Sequence, residues 1–448
     1  MPFFGVPLRN GIPIGLGSTA GFGAAPFTPA ELFYANEQGF WYDPSDFSAM
    51  FQDSAGTTPV TAVEQPVGLM LDKSGNNNHA SQATPAYRPV LSAKVNLLTY
   101  TEQFNNGVWV QAPGSQTTTV TANAGVAPDG TTTADEIAFA AVSGSAYAIR
   151  WQNIAVASAS YTSALYVKAK AAGDVGKTIS VYTNDLVGSP TIVNHVLTSS
   201  WVRVTNTATL SASAVAKFTV ASLGATTGGV NQGAFSALVW GADLRVANDG
   251  VGIPAYQRVA AATDYDTTGF PYYLRFDGSD DGLATSSIDF SATDQMSVFA
   301  GARKLTDGAA ALVVELSDAV LTNNGSFNIL APDAALNSFA YRSRGDAAVP
   351  PNATASGYIA PITGVLAASS DISADLCNLR VNGAQAASSS SDQGAGNYGN
   401  YPIYIGRRLG FTLPFNGRLY SLIGVNRVTT DAETVSTETW VNSKTAAY

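Results

Sequence analysis

Acidic side chains cluster in one short stretch, where they could hold a cation. Asp277, Asp280 and Asp281 lie close together in sequence, and Asp72 precedes a second stretch that is rich in asparagine. Carboxylate oxygens are the ligands that Ca²⁺ prefers, but Asp also forms ordinary turns by accepting hydrogen bonds from its own backbone. The regular D-x-D-x-D-G spacing is absent. Two interpretations stay open, a calcium site and a plain turn, and no other cofactor is indicated.

Residue patterns for hydrolytic catalysis are missing. Glycosidases built on β-sandwiches present an acid and a nucleophile or base along one strand as E-x-D-x-x-E. The nearest approach here is Glu315 with Asp318, and that spacing turns the two carboxylates to opposite faces of a strand. The two histidines, His79 and His195, are far apart in sequence, and neither G-x-S-x-G nor H-E-x-x-H occurs. We therefore expect a protein without enzymatic activity.

Aromatic and asparagine side chains provide the chemistry for sugar binding. An exposed ring stacks on the apolar face of a pyranose while neighbouring polar groups bind its hydroxyls. The candidate glycan contacts are Trp109, Trp151, Tyr166, Asn397, Tyr398, Asn400 and Tyr401. Any one of these rings could instead be buried, since large aromatics dominate the cores of β-sandwiches. The segment from Tyr398 to Tyr401 is favoured because it lies in an expected loop.

The composition predicts two or three domains made mostly of strands. The chain has 448 residues, 46% of them hydrophobic and only 12% charged. Its net charge of −10 and the lack of a Lys and Arg cluster argue against nucleic acid as a partner. Cys377 is the single cysteine, which excludes an internal disulfide and a cysteine-based zinc site. We expect it to be a small buried hydrophobe.

Alternating hydrophobic and polar residues place these groups on strands. Such runs cover residues 161–168, 178–183, 201–205, 217–221, 235–240, 296–300, 311–315, 326–330, 338–341, 376–381, 401–406 and 417–425. Asn382-Gly383 is a strong hairpin signal, and residues 384–400 are expected to form a mobile loop. Near the end, Thr430 and Glu433 form a capping-box pattern that predicts a short C-terminal helix.

Two separated stretches resemble the halves of one motif. Residues 72–80 read DKSGNNNHA and residues 274–283 read LRFDGSDDGL. Together with YDPSD at 42–46 and FQDSAGTTPV at 51–60, they resemble the laminin-G-like, concanavalin-type β-sandwiches of phage and prophage virion proteins. The resemblance implies a structural turn formed by Ser74, Gly75, Asn78 and His79. It also implies that a segment has been inserted between the halves.

The inserted segment resembles a second kind of module. NLLTYTEQF at 96–104, APDGTTTAD at 127–135 and WGADL at 240–244 are similar to the carbohydrate-binding-module-like jelly rolls of phage structural proteins. We therefore expect an all-β protein in which a concanavalin A-like sandwich is interrupted by a jelly roll. The expected parts are an extended arm (1–30), a first part of the sandwich (31–94), the jelly roll (95–266) and a second part with the C-terminal helix (267–448).

The N-terminal residues are apolar but cannot form a helix. Pro2, Pro7, Pro13 and repeated glycines interrupt them, and they match neither a signal peptide nor a membrane span. Such a segment gains order by lying on another surface, so we expect an arm that docks on other virion proteins. A disordered terminus is the alternative. The expected docking residues are Phe3, Phe4, Val6, Pro7, Leu8 and Arg9.

These resemblances imply a non-enzymatic structural protein of a phage or phage-like particle. It would be a head or tail fibre, spike or decoration component on the virion surface, assembled in the host cytoplasm. It would display lectin-like modules to host-surface polysaccharide, as a homo-oligomer with a trimer favoured. The alternative is a capsid- or tail-stabilising protein that binds no sugar, and a polysaccharide depolymerase is disfavoured by the missing acid pair. We expect neither nucleic-acid binding nor membrane insertion.

Overall fold

A computed structural model describes residues 26–187, 189–211, 213–247, 256–317 and 319–448. The docking residues predicted in the arm, Phe3, Phe4, Val6, Pro7, Leu8 and Arg9, lie outside this part of the chain. The described residues form strands, short 3₁₀ helices and one α-helix. This architecture confirms the predicted all-β fold class with a C-terminal helix.

Among the described residues, five short strands precede the inserted segment. They are β1 (Gly39–Tyr42), β2 (Met50–Phe51), β3 (Leu69–Met70), β4 (Ala80–Ser81) and β5 (Val90–Ser92). Short 3₁₀ helices lie among them at Pro29–Phe33, Phe47–Ala49 and Pro85–Tyr87.

The next ten strands form the inserted part. They are β6 (Trp109–Gln111), β7 (Thr118–Gly125), β8 (Ala134–Phe139), β9 (Tyr147–Val156), β10 (Ala159–Ala169), β11 (Thr178–Asn184), β12 (Val193–Val196), β13 (Val202–Leu210), β14 (Ser213–Leu223) and β15 (Phe235–Val246). Single-turn 3₁₀ helices occur at Ala172–Asp174 and Ala225–Thr227.

The remaining elements follow the insert. They are β16 (Val259–Ala261), β17 (Asp264–Tyr265), β18 (Tyr273–Asp277), β19 (Leu283–Thr285), β20 (Ile288–Asp289), β21 (Gln295–Lys304), β22 (Leu312–Leu316), β23 (Ser326–Leu330), β24 (Ser338–Arg344), β25 (Asn352–Ser356), β26 (Ile362–Asp371), β27 (Leu376–Val381), β28 (Ala384–Ser389), β29 (Asn400–Tyr401), β30 (Ile403–Ile405), β31 (Asn416–Val425) and α1 (Asp431–Thr445). A 3₁₀ turn lies at Leu409–Phe411.

Strands from both ends of the chain build one sandwich, which we call the outer sandwich. Its eight-stranded sheet has the order β28-β27-β26-β21-β31-β18-β5, with β1 also paired to β31. Its nine-stranded sheet has the order β2-β3-β4-β19-β30-β22-β23-β24-β25. All of these pairs are antiparallel. One apolar core fills the space between the sheets and takes residues from before and after the insert.

Within the described ranges, the inserted strands pair only among themselves and form the inner sandwich. One sheet has the order β13-β10-β15-β8-β7 and the other β12-β11-β14-β9-β6. A separate core of buried side chains lies between them, including Phe104, Trp109 and Phe218. The predicted runs 161–168, 178–183, 217–221 and 235–240 lie in β10, β11, β14 and β15, and each run is confirmed as a strand.

The chain passes between the two sandwiches twice, at residues 93–96 and at residues 257–266, and these two segments lie side by side. We call them the neck. Gln257 is fully buried there, and its Oε1 accepts hydrogen bonds from the backbone N–H groups of Val95 (2.8 Å) and Asn96 (3.0 Å). Its Nε2 donates to the carbonyls of Ala93 (2.9 Å) and Asp266 (2.8 Å). One amide side chain therefore links the segment that enters the insert (93–96) to the segment that leaves it (257–266).

The predicted capping box and C-terminal helix are confirmed. The Thr430 side chain accepts a hydrogen bond from the Glu433 N–H, and the Glu433 carboxylate accepts one from the Thr430 N–H (2.8 Å), which starts α1. Val441 of α1 packs on the outer side of the eight-stranded sheet. Asn382 and Gly383 turn at positive φ between β27 and β28. The expected mobile loop at 384–400 is wrong for its first third, because Ala384–Ser389 pairs with β27 as a strand.

Candidate functional site

Trp109 is a core residue, which contradicts its expected role as an exposed glycan contact. Its side chain is only 1% exposed and its ring centroid lies 4.5 Å from that of Phe104. The indole N–H donates to the Tyr100 carbonyl (2.9 Å). Strand β6 turns this side chain toward the inner core, so the ring has no face to offer a sugar.

Tyr398 is also buried, because the segment 398–401 is hydrogen-bonded to the outer sandwich. It is 1% exposed, and its hydroxyl hydrogen-bonds those of Ser343 (2.5 Å) and Ser370 (2.6 Å). Burial raises the pKa of Tyr398 to about 12. The pairing of β29 with β20 holds the chain here. The expectation that this loop exposes its rings is therefore wrong.

The other residues of that segment do not form a binding surface with Tyr398. Asn397 and Asn400 are exposed, but the Asn397 side chain donates to the Ser291 carbonyl (2.7 Å). Tyr401 is half-buried and packs against the outer core. The Asn397 side chain therefore links this segment to the residues that follow β20.

Tyr166 lies on the outer face of the β10 sheet and is half-buried in an aromatic cluster. Its ring stands edge-on to that of Trp240, with centroids 5.5 Å apart. The Arg203 guanidinium covers the ring at 5.6 Å. Both neighbours restrict access to Tyr166, so it is a packing residue of this face.

Trp151 is the one predicted aromatic in the described chain that the structure places in a groove. The two-residue period of β9 puts Tyr147, Ile149 and Trp151 on the same outward face. Trp151 is opposite Thr219 of β14, and Thr219 is opposite Tyr182 of β11. Three aromatic side chains therefore share the outward face of the β12-β11-β14-β9-β6 sheet.

This aromatic groove has a volume of about 220 Å³ and mixed polar and apolar walls. Pro113 and Leu186 are exposed at its edges, and Asn184 supplies an amide. The Lys217 ammonium lies 3.6 Å from the centre of the Trp151 ring, as a cation–π contact. Burial raises the pKa of Tyr182 to about 12, so its hydroxyl stays protonated and can donate.

The acidic residues near β18 form a compact turn. Ligand-capable oxygens of Asp277, Asp280 and Asp281 all lie within 4.8 Å of one another. Asp277 accepts from the Ser279 N–H (2.8 Å), and Asp281 accepts from the Asp277 N–H (3.0 Å). Burial, followed by repulsion from Asp277, raises the pKa of Asp281 to about 7. The arrangement has the hydrogen bonds of a plain turn. It also groups carboxylate oxygens, the ligands that a hard cation such as Ca²⁺ prefers, so it fits both the turn and the calcium-site interpretation.

Asp72 does not join that cluster, which contradicts its expected place among the metal ligands. Its carboxylate accepts from the backbone N–H groups of Trp41 (2.8 Å), Ser74 (2.9 Å) and Asn78 (3.0 Å). The His79 Nδ1 accepts from the Asp72 N–H (3.0 Å). These hydrogen bonds hold the 72–80 turn against β1, so Asp72 and His79 are structural.

Glu315 lies buried on the outer side of the nine-stranded sheet and is fully engaged. Arg408 donates to both carboxylate oxygens, from Nε at 2.7 Å and from an Nη at 2.8 Å. The Val320 N–H donates to the same group at 2.7 Å. A carboxylate fixed in this way has no free oxygen for proton transfer to a substrate.

Four residues of the groove were not predicted from the sequence: Tyr147, Tyr182, Asn184 and Lys217. Strand periodicity could have placed Tyr147 and Trp151 on one face, because they are four residues apart in β9. The alignment of β11 with β14 and β9 is a tertiary feature that no local pattern encodes.

Comparison with known proteins finds distant structural similarity. No protein-family model and no curated protein matches the chain. The CBM40 of the Ruminococcus gnavus IT-sialidase bound to α2,3-sialyllactose has a TM-score of 0.28 at 15% identity, over 35% of this chain and 97% of that chain. The binding domain of Paraclostridial Mosquitocidal Protein 1 has a TM-score of 0.30 at 17% identity, over 38% and 43%.

The SAP-like pentraxin from Limulus polyphemus has a TM-score of 0.30 at 11% identity, over 36% of this chain and 78% of the pentraxin. At these identities the similarity concerns the β-sandwich fold alone. None of the helices in the described part of the chain is long and apolar enough to cross a membrane.

Proposed function

We propose that this protein is a non-enzymatic, glycan-binding structural component of a phage or phage-like particle, displayed on the virion surface. The observation that carries the glycan-binding proposal is the aromatic groove of the inner sandwich. It combines the rings of Trp151, Tyr147 and Tyr182 with the polar groups of Asn184 and Lys217.

The groove has the chemistry that sugar recognition requires. Aromatic faces pack against the C–H groups of a pyranose, while the Asn184 amide and the Tyr182 hydroxyl are placed to hydrogen-bond its hydroxyls. Lys217 rests on Trp151, so a stacking sugar has to displace this ammonium from the ring. That displacement costs part of the binding energy, and we expect one groove to bind weakly.

Weak single sites favour an assembly with several copies. Linking equivalent grooves on one particle raises avidity by about 10²–10⁴ without any new contact. This requirement agrees with the homo-oligomer, trimer favoured, that the resemblance to virion proteins implies. The motifs at 42–46, 51–60, 72–80 and 274–283 support the virion assignment.

The hydrogen bonds that Glu315 accepts support the proposal that the protein is not an enzyme. Both of its carboxylate oxygens are held by Arg408. Glycoside hydrolysis requires one free acid and one free base or nucleophile across the scissile bond. Incubating the protein with host polysaccharide should release no new reducing ends, and measurable release would establish the depolymerase alternative.

Multivalent display tests the glycan-binding proposal. The full chain is coupled to beads and exposed to an array of host-surface polysaccharides. We expect the beads to be retained on at least one polysaccharide. This retention should fall at least tenfold in Trp151→Ala and in Tyr182→Phe, while the melting temperature of Tyr182→Phe stays close to that of the parent. The matched control is Tyr34→Ala, which removes a ring that is 75% exposed elsewhere.

Two results would contradict the proposal. Equal retention by Trp151→Ala and the parent would remove the groove as the site. Absence of retention on all polysaccharides, together with fragile or misassembled particles when the protein is missing, would establish the purely structural alternative.

A further inference from the structure

We propose a second ligand site, in the outer sandwich, where Arg407 lines a cavity that fits the carboxylate of one acidic sugar residue. The cavity measures about 190 Å³ and lies on the outer face of the nine-stranded sheet. Its floor is the cross-strand row of Ser81, Ala284 and Tyr404, from β4, β19 and β30. Leu409 forms part of the wall.

Arg407 has unused hydrogen-bonding capacity. No hydrogen bond or ion pair joins it to another residue in the described ranges, and its Nε is buried without a partner. The neighbouring Arg408, in contrast, is committed to Glu315. A desolvated donor without a partner costs free energy, and burial lowers the pKa of Arg407. A ligand carboxylate that accepts two parallel N–H bonds would offset this cost.

The guanidinium is held in place before any ligand arrives. Its central carbon lies 4.0 Å from the ring centre of Phe411 and 5.2 Å from that of Tyr87. The aliphatic part of the side chain passes over Gly282, where an added Cβ would lie 2.6 Å from the Arg407 Cγ. This contact explains the glycine in the D-D-G-L motif, since any larger residue would displace Arg407.

Local charge and cavity size select the class of ligand. Asp280 and Asp281 act electrostatically on Arg407, so any anion in the cavity is repelled by these carboxylates. A phosphate monoester carries about −1.5 to −2 charges and is repelled more strongly than a carboxylate. At about 30 Å³ for each water, the cavity has the volume of roughly six waters. A single hexuronate residue carries one negative charge and is small enough for this volume, so it meets both the charge condition and the size condition.

Calorimetric titration of the full chain tests the proposal, with glucuronate as the probe. We expect glucuronate to bind, and glucose and inorganic phosphate to bind at least tenfold more weakly. Arg407→Gln should weaken glucuronate binding at least tenfold. Arg258→Gln removes the same charge from the β16–β17 hairpin and should leave binding unchanged.

Two further variants locate the site. Gly282→Ala keeps Arg407 but displaces it, and we expect weaker glucuronate binding with near-parental melting. Tyr34→Ala removes an exposed ring outside both sites and should leave glucuronate binding unchanged, whereas any loss in Trp151→Ala belongs to the inner groove. The proposal is overturned if glucuronate fails to bind, if phosphate binds as tightly, or if Trp151→Ala rather than Arg407→Gln abolishes binding.

Discussion

At the scale of single residues, the face of the strand decides what each aromatic side chain does. Trp109 and Trp151 are both tryptophans on strands of the same sheet, and their backbones are near neighbours across the β6–β9 pair. Trp109 points into the core and is 1% exposed, whereas Trp151 points into the groove. Residue type alone therefore could not separate a ring packed in the core from a ring that lines a groove.

The two tryptophans should respond differently to truncation. Trp109→Ala should lower the free energy of unfolding by about 3–5 kcal/mol, because it leaves a cavity in a packed core. Trp151→Ala should cost clearly less, since its ring is half-buried against an open groove. Urea denaturation of both variants measures the difference, and equal losses would contradict these assigned positions.

Asp281 should make stability depend on pH near neutrality. Its pKa is raised from 3.8 to about 7 in the folded protein. Between these values the folded state holds a proton that the unfolded chain has lost, so the free energy of unfolding falls as the pH rises toward 7. Above pH 7 Asp281 is ionised in both states, and the folded state keeps the full free-energy cost of burying its negative charge. Asp281→Asn should be more stable than the parent at pH 8 and similar to it near pH 4.

Thermal melts of the parent and Asp281→Asn across this pH range give the measurement. A constant difference between them would show that Asp281 does not titrate there. Adding Ca²⁺ at pH 8 separates the two interpretations of the turn. A cation site predicts a higher melting temperature for the parent that is lost in Asp281→Asn, and a plain turn predicts no change in either.

At the scale of elements, local patterns predicted the strands and the helix, and long-range pairing defined the sites. The alternation in β10, β11, β14 and β15 and the capping box at Thr430 are visible in sequence because neighbouring residues produce them. The 398–401 segment was misjudged because its burial depends on the pairing of β29 with β20, more than a hundred residues away. The aromatic groove and the Arg407 cavity likewise need strands from distant parts of the chain.

At the scale of the whole molecule, the two sandwiches of the described residues have separate cores with no shared strands. The outer core unites strands on both sides of the insert, and the inner core uses only strands β6 to β15 with their flanking residues. The motif halves at 72–80 and 274–283 meet in the outer sandwich, because β4 and β19, which begin at the last residue of each half, pair with each other.

The inserted segment, expressed alone as residues 95–266, should fold independently. We expect a cooperative melt and a β-type circular dichroism spectrum, because its core is complete without the outer strands. A disordered product would show that the outer sandwich is required. Since Gln257 fastens the two ends, Gln257→Ala should lower the melting temperature of this fragment.

The neck also determines how the protein carries mechanical load. If the proposed groove holds a glycan, a pull on that glycan acts on the inner sandwich, whose two chain connections to the outer sandwich lie together in the neck. Tension then acts on both crossings together, and the hydrogen bonds that Gln257 makes to each of them share it.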